Sequence, residues 1–199
     1  MYKETIQSAA KAHVIFDREI HDVRHIGEVT VAVEPAARGR GVIFTTDAAL
    51  EAVDRQMIQY AEQGAREATL AGVLAGNEVV DIVVTLKALR QDLHSMTGLG
   101  LKVAASQACK EACEKASPVL LEPYMKVEVL VPEEFVGEVI ADLNIRRGRL
   151  EQVTPRGRIS VIDAVVPLAT MFGYSTSLRS ITQGRGIFTM QYSHYDAKL

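Results

Sequence analysis

Leu121-Glu122-Pro123, followed by Lys126-Val127-Glu128-Val129-Leu130-Val131 and Pro132-Glu133-Glu134, is the stretch from which the architecture of this chain is read. The alternation over 126–131 is that of a strand, and the proline and acids after it suit the first turn of a helix. Pro123 disfavours helix at the residue before it, so a domain boundary is expected near 122–125, closing a long helix-like stretch. Downstream, Phe135, Val139, Ile140 and Leu143 share one face of a helix that reaches about Asn144. Gly148 to Val153, a Thr154-Pro155-Arg156-Gly157 turn and Arg158 to Val166 read as a hairpin. Pro167 opens a second helix over 168–180, and Gly184-Arg185-Gly186 leads to a last strand, Ile187 to Tyr192. The order β-α-β-β-α-β is the ferredoxin-like split βαβ plan.

Upstream of the boundary the pattern is less regular. Ile26 to Val33 alternates as a strand and ends at Glu34-Pro35, before a flexible Arg38-Gly39-Arg40-Gly41 turn. A helical pattern over 47–69 takes Asp47 as its N-cap and stops towards Gly72 and Gly76. Val79 to Leu86 reads as a buried strand, Lys87 to Gly100 as a loop, and Leu101 to Ala116 as a second helix. The expectation is an α+β chain of two domains, 1–122 with two helices over one sheet, and 125–199.

Composition narrows the function. The 199 residues are 48% hydrophobic and 24% charged, ordinary globular usage that excludes a disordered or collagen-like chain. A formal charge of −3 argues against tight binding to bare nucleic acid by bulk charge. Two cysteines cannot build a disulfide framework, and no apolar run is long enough for a membrane-spanning helix. Charges throughout the first 30 residues speak against a secretory signal, and a cytoplasmic protein is expected.

No Gly-Lys dipeptide occurs, so a Walker-type phosphate loop is absent, and the Gly-x-Gly pairs at 39, 98 and 184 lack a third glycine. Cys109 and Cys113 stand four apart on a helix without further ligands nearby, which reads as buried packing rather than zinc binding. His21 and His25 share that spacing in a charged segment; a metal or general base is weighed there against a solvated loop or polar contact surface. Asp92 and His94 resemble an acid–base pair but have no nucleophile beside them. Arg146, Arg147, Arg149, Arg156 and Arg158 are five of the nine basic residues after 125. On a helix end and hairpin they would form one positive face suited to an RNA backbone, the alternative being an exposed hairpin with salt bridges. No catalytic, metal or cofactor site is assigned.

Longer motifs add a resemblance. Met171-Phe172-Gly173-Tyr174-Ser175-Thr176-Ser177-Leu178-Arg179-Ser180, Thr182-Gln183-Gly184-Arg185-Gly186 and Phe188-Thr189-Met190 resemble the last domain of translation elongation factor G. So do Pro118-Val119-Leu120-Leu121-Glu122-Pro123 and Arg146-Arg147-Gly148. Tyr2-Lys3-Glu4-Thr5-Ile6, and Gly72-Val73-Leu74-Ala75-Gly76 through Val80-Asp81, are similar to the preceding domain of that family. The likeness covers essentially the whole chain. It implies the family's two C-terminal domains: a βαβ-type domain with a left-handed crossover that reaches the small-subunit decoding site, then a ferredoxin-like domain near the large-subunit factor-binding region. It also implies a ribosome-binding, non-catalytic, monomeric part of a GTP-driven factor moving tRNA and mRNA. GTP and magnesium would belong to N-terminal domains outside this sequence. Contacts to ribosomal RNA and ribosomal proteins would fall to His21, Arg24, His25, Arg90, Gln91, Asp92 and His94 in the first domain, and to the five arginines in the second. Tyr2 to Thr5 resembles an interior family segment, so Met1 is expected to be an added start.

Two departures stand out. Where the family has Gly-Gly-x-Gly-Gln-Tyr-Gly, this chain reads Ile20-His21-Asp22-Val23-Arg24-His25-Ile26-Gly27, keeping one glycine. Where the family has Gly-Ser-Tyr-His-Asp-Val-Asp-Ser, it reads Ala88-Leu89-Arg90-Gln91-Asp92-Leu93-His94-Ser95. The family histidine falls on Gln91 or Asp92, not on His94. Both tip loops differ while the last domain is nearly standard, which suggests a divergent paralogue and, as the alternative, a recycling or ribosomal-protection factor. Two more distant readings are a small-molecule enzyme using Asp92, His94 and His25, and a ligand-sensing ferredoxin-like module.

Overall fold

The computed structural model describes residues 2–90 and 95–198. Its contacts divide the chain into two compact units, with the division between Leu121 and Glu122. This lies inside a strand, β6 (Pro118–Pro132), which is longer on both sides than its alternating segment suggests.

In the first unit, β2 (Ala10–Ile20), β3 (Val23–Pro35), β4 (Val42–Thr46) and β5 (Ile82–Leu89) form a sheet in the order β2-β3-β5-β4. β4 and β5 run parallel, joined through α1 (Arg55–Ala71). α2 (Gly98–Lys115) packs with α1 over the same sheet, burying Val29, Val31 and Val33 against Ala104, Ala105 and Ala108. Cys109 and Cys113 are free thiols within this core.

β1 (Lys3–Ile6) pairs with the start of β6, Lys3 opposite Leu121 and Ile6 opposite Pro118. Its Glu4 is fully buried. The loop after α1 wraps that carboxylate: the amides of Val73 and Leu74 donate to one oxygen at 2.6 and 2.9 Å, those of Ala75 and Asn77 to the other at 2.8 and 3.0 Å. Burial of Glu4 raises its pKa, but the four amide bonds together hold it below the usual 4.5.

The second unit follows the split βαβ plan. Its strands are β6, β7 (Arg149–Arg156), β8 (Ile159–Pro167) and β9 (Ile187–Ala197), with β9 and β8 flanking β6 and β7 outside β8. α3 (Val136–Ile145) and α4 (Tyr174–Ile181) cover one face, where Val127, Val129, Val131, Ile162 and Val166 meet Val139, Leu143, Tyr174 and Leu178.

Several local expectations change. Asp47 caps only a short 3-10 turn, and the N-cap of α1 is Asp54, which accepts from the Gln56 amide at 2.8 Å. Asp47 and Asp54 are both cap aspartates, and the turn begun at the first does not propagate into α1. β5 begins later and runs further than its apolar run suggests, so residues 87–89 are strand rather than loop. The turn of the last hairpin is Gly157-Arg158, with Gly157 at φ 68°; Pro155 stays in strand opposite Ser160. The helix after Pro167 is a 3-10 turn followed, after Gly173 at φ 75°, by α4. β2 has no counterpart in the sequence pattern, and the segment around His21 is a hairpin end rather than an open loop.

Candidate functional site

β5 leaves β3 at Val29, so the far end of the β2–β3 hairpin is paired only with itself within the sheet, among the described residues. Ile20 lies opposite Val23, leaving His21 and Asp22 as a two-residue turn with φ of 50° and 63°. Positive φ at both central residues is the type I′ pattern, whose twist matches the strands. Arg24 donates from Nε and Nη2 to the two oxygens of Asp17 across the hairpin, at 2.8 and 2.6 Å. That fork-to-carboxylate bond holds the Asp17 carboxyl below its ordinary range.

His25 lies in β3, its Nδ1 3.3 Å from Thr97 Oγ1. Thr97 caps α2: its hydroxyl accepts from the Gly100 amide at 3.1 Å, and its own amide donates to the Ile26 carbonyl at 2.9 Å. This approach requires glycine on both sides. A Cβ on Gly27 would lie 2.1 Å from the Gly100 carbonyl oxygen, and one on Gly100 would lie 2.2 Å from that of Ile26. Arg90 follows directly after the neighbouring strand β5, with its amide on the Glu28 carbonyl at 3.2 Å and its guanidinium 3.7 Å from the Glu28 carboxylate. His13 Nε2 meets that carboxylate at 2.9 Å. The start of α2, His25 and Arg90 therefore gather at one end of the sheet, and the hairpin carries His21 and Arg24 outward from it. Gln91, Asp92 and His94 lie outside the described residues, and with them the Asp92–His94 pair.

In the second unit the five arginines do not form one face. Arg146 is nearly buried and its guanidinium is spent inside the unit. It donates to Asp142 at 2.9 Å, to the Thr170 carbonyl at 2.6 Å and to Ser177 Oγ at 2.8 Å, and lies 5.0 Å over the Tyr174 ring. Burial pushes the Tyr174 phenol well above its ordinary value. Arg147 takes a left-handed φ of 61° just past α3. Its amide donates to the Asn144 carbonyl at 3.0 Å and that of Gly148 to Leu143 at 2.8 Å, a Schellman ending. Its side chain reaches both oxygens of the fully buried Glu122 at 2.9 and 3.1 Å. Sequence reasoning misses Ser177 and Glu122 because they lie 31 and 25 residues from their arginines, whereas Asp142 stands at the helical i,i+4 spacing from Arg146, a local signal that could have found it.

Arg149, Arg156 and Arg158 are exposed. Arg149 begins β7 and Arg156 ends it, a separation of roughly 23 Å at the rise of a strand. Arg158 sits in the hairpin turn, lining an open cleft with Glu133, Glu134 and Arg185. Arg185 pairs with Glu134 at 2.7 Å. Among the described residues no cluster of His, Cys, Asp or Glu is arranged to hold a metal ion. No described helix is long and apolar enough to cross a membrane.

Comparison with known proteins places both units. The family profile described as Elongation factor G, domain IV matches residues 1–117, and that described as Elongation factor G C-terminus matches residues 119–198. A curated relative, Elongation factor G 2 of Syntrophus aciditrophicus (strain SB), is 40% identical over 196 residues, which cover 98% of this chain and 29% of the relative. A crystal structure of a Thermus thermophilus protein superposes with a TM-score of 0.85 at 32% identity, over 99% of this chain and 29% of that one. The chain thus spans less than a third of the length of either.

Proposed function

This chain belongs to the elongation factor G family of translation factors, and from that premise we propose that it acts as the ribosome-binding C-terminal portion of such a factor, in the movement of tRNA and mRNA. The supporting observation is that two consecutive family domains match end to end and in order. On this reading GTP hydrolysis belongs to the part of the longer relatives outside this chain, and the present residues bind and orient. The β2–β3 hairpin end with His21, Arg24 and His25 is the group directed to the decoding site. Arg149, Arg156 and Arg158 supply phosphate contacts from the second unit, and Arg146 and Arg147 hold the surface that presents them.

The test is co-sedimentation of the 199-residue chain with purified ribosomes across a salt series. Salt-sensitive binding is expected, with the slope of log affinity against log salt reduced by about one for each phosphate-contacting arginine replaced. Binding that ignores both salt and these arginines would remove the proposed role of the second unit. A second reading, recycling or ribosomal protection, draws on one feature: the hairpin ends in a two-residue His21-Asp22 turn instead of a glycine-rich loop. Grafting residues 20–27 into a standard factor separates the two readings, since unchanged translocation would count against the second.

A further inference from the structure

Strand β1 lies between two backbone partners. On one side it pairs with residues 118–121 of β6. On the other, the Glu4 amide donates to the Glu78 carbonyl at 2.9 Å and the Val80 amide to the Glu4 carbonyl at 2.8 Å. The Glu4 carboxylate fills the ring of four amides at 73–77, and Lys3 pairs with Glu78 at 2.5 Å. Residues 3–6 and 73–80 therefore bind each other, and neither segment is a strand of the β2-β3-β5-β4 sheet. Ile6 and Val79 reach the core of that sheet by apolar contact, and the Val79 amide meets the Thr69 carbonyl of α1 at 2.7 Å.

Left-handed residues stand at both ends of the loop, Gly72 at φ 69° where it leaves α1 and Asp81 at φ 59° just before β5. For Asp81 that conformation is disfavoured, so relaxing it offsets part of the cost of opening. Thr5 lowers the cost further. It is 1% exposed and its hydroxyl has no hydrogen-bond partner among the described residues, whereas water satisfies a hydroxyl that is released.

We infer that β1 and the 73–80 loop form one strap, latched by Glu4, which lifts from β6 as a unit while the four-stranded sheet and its two helices stay folded. Breaking the Glu4 bonds frees both segments at once, so the amides around the carboxylate and those of β1 lose protection together.

Amide hydrogen exchange of the 199-residue chain, followed by NMR through sub-denaturing urea, reads this opening. The amides of residues 73, 74, 75, 77 and 80 and those of β1 are expected to share one opening free energy and one urea slope. Both should be smaller than for the core amides of β3 and α2, because less surface is exposed. Glu4→Gln should speed the shared exchange by about tenfold or more. Thr5→Val keeps the side-chain shape and removes the unpaired hydroxyl. It should slow exchange in the loop by roughly fivefold, although the strand partner of residue 5 is Val119 of β6. Leu86→Ala, paired with Val31 and Thr46 inside the four-stranded sheet, should speed exchange in β3 and α2 and leave the strap unchanged, since its contacts survive the opening. Strap amides that exchange with the core, different urea slopes for the loop and β1, or loop amides indifferent to Thr5→Val would each overturn the inference. So would a Leu86→Ala effect on the strap equal to that on the core.

Discussion

Arg146 and Glu4 show how much a single side chain carries in this fold. Arg146 joins α3 to α4 and the turn before it, donating to Asp142, the Thr170 and Phe172 carbonyls and Ser177 and lying over the Tyr174 ring, and its side chain is 14% exposed. Arg146→Ala leaves Asp142, Ser177 and the Thr170 carbonyl without that donor, and should cost about 3 kcal/mol in urea unfolding. Glu4→Gln should cost roughly 2 kcal/mol at neutral pH, because its NH2 group turns donors towards two of the four amides that grip the carboxylate, and the remaining oxygen carries no charge. The pH dependence has a definite sign. The folded pKa of Glu4 is depressed, so its stabilisation is complete above about 4.5 and is lost as pH falls through the folded value. The gap between the unmodified chain and Glu4→Gln in a pH series of melts should therefore close on the acid side.

At the scale of elements, the β2–β3 hairpin makes opposite predictions at its two ends. His21 and Asp22 occupy left-handed positions that Asn and Gly adopt at less cost. His21→Asn/Asp22→Gly should raise stability by about 1 kcal/mol. Gly100→Ala should lower it by about 2 kcal/mol or more, since its Cβ would strike the Ile26 carbonyl. Thermal melts monitored by circular dichroism check both. The same hairpin shows what can be read from the sequence. β3 is legible because Val29, Val31 and Val33 alternate with small or polar residues. β2 is not, because exposed Ile15 interrupts the alternation of Ala12, Val14 and Phe16, and because His-Asp is not a standard turn dipeptide. The arginine cluster after α3 is visible as composition, but which of its side chains are held by internal partners, Arg146 and Arg147, depends on Glu122, Thr170, Tyr174 and Ser177. Those residues become neighbours only through tertiary folding.

Across the whole molecule, the family motifs and the split βαβ order are legible because they are long and local, whereas the strands flanking them depend on distant partners. The formal charge of −3 sets a further expectation. Generic duplex RNA should not be shifted by the chain at physiological salt, while ribosomes should be bound, since shape and a few placed guanidiniums substitute for bulk charge. Gel shift beside co-sedimentation tests this, and equal retention of both would point to non-specific adsorption. The pairing of β1 with β6 also bears on how the chain is made. Lys3 meets Leu121, so β1 leaves the ribosome that synthesises it more than a hundred residues before its partner exists. Loop closure over such a span is slow, and chain growth proceeds at about 5–20 residues per second. The loop at 72–77 is synthesised well before β6, and Glu4 must enter it by a long-range search. Closing the first unit is thus expected to be a late event in its birth, completed by the earliest-made strand of that unit.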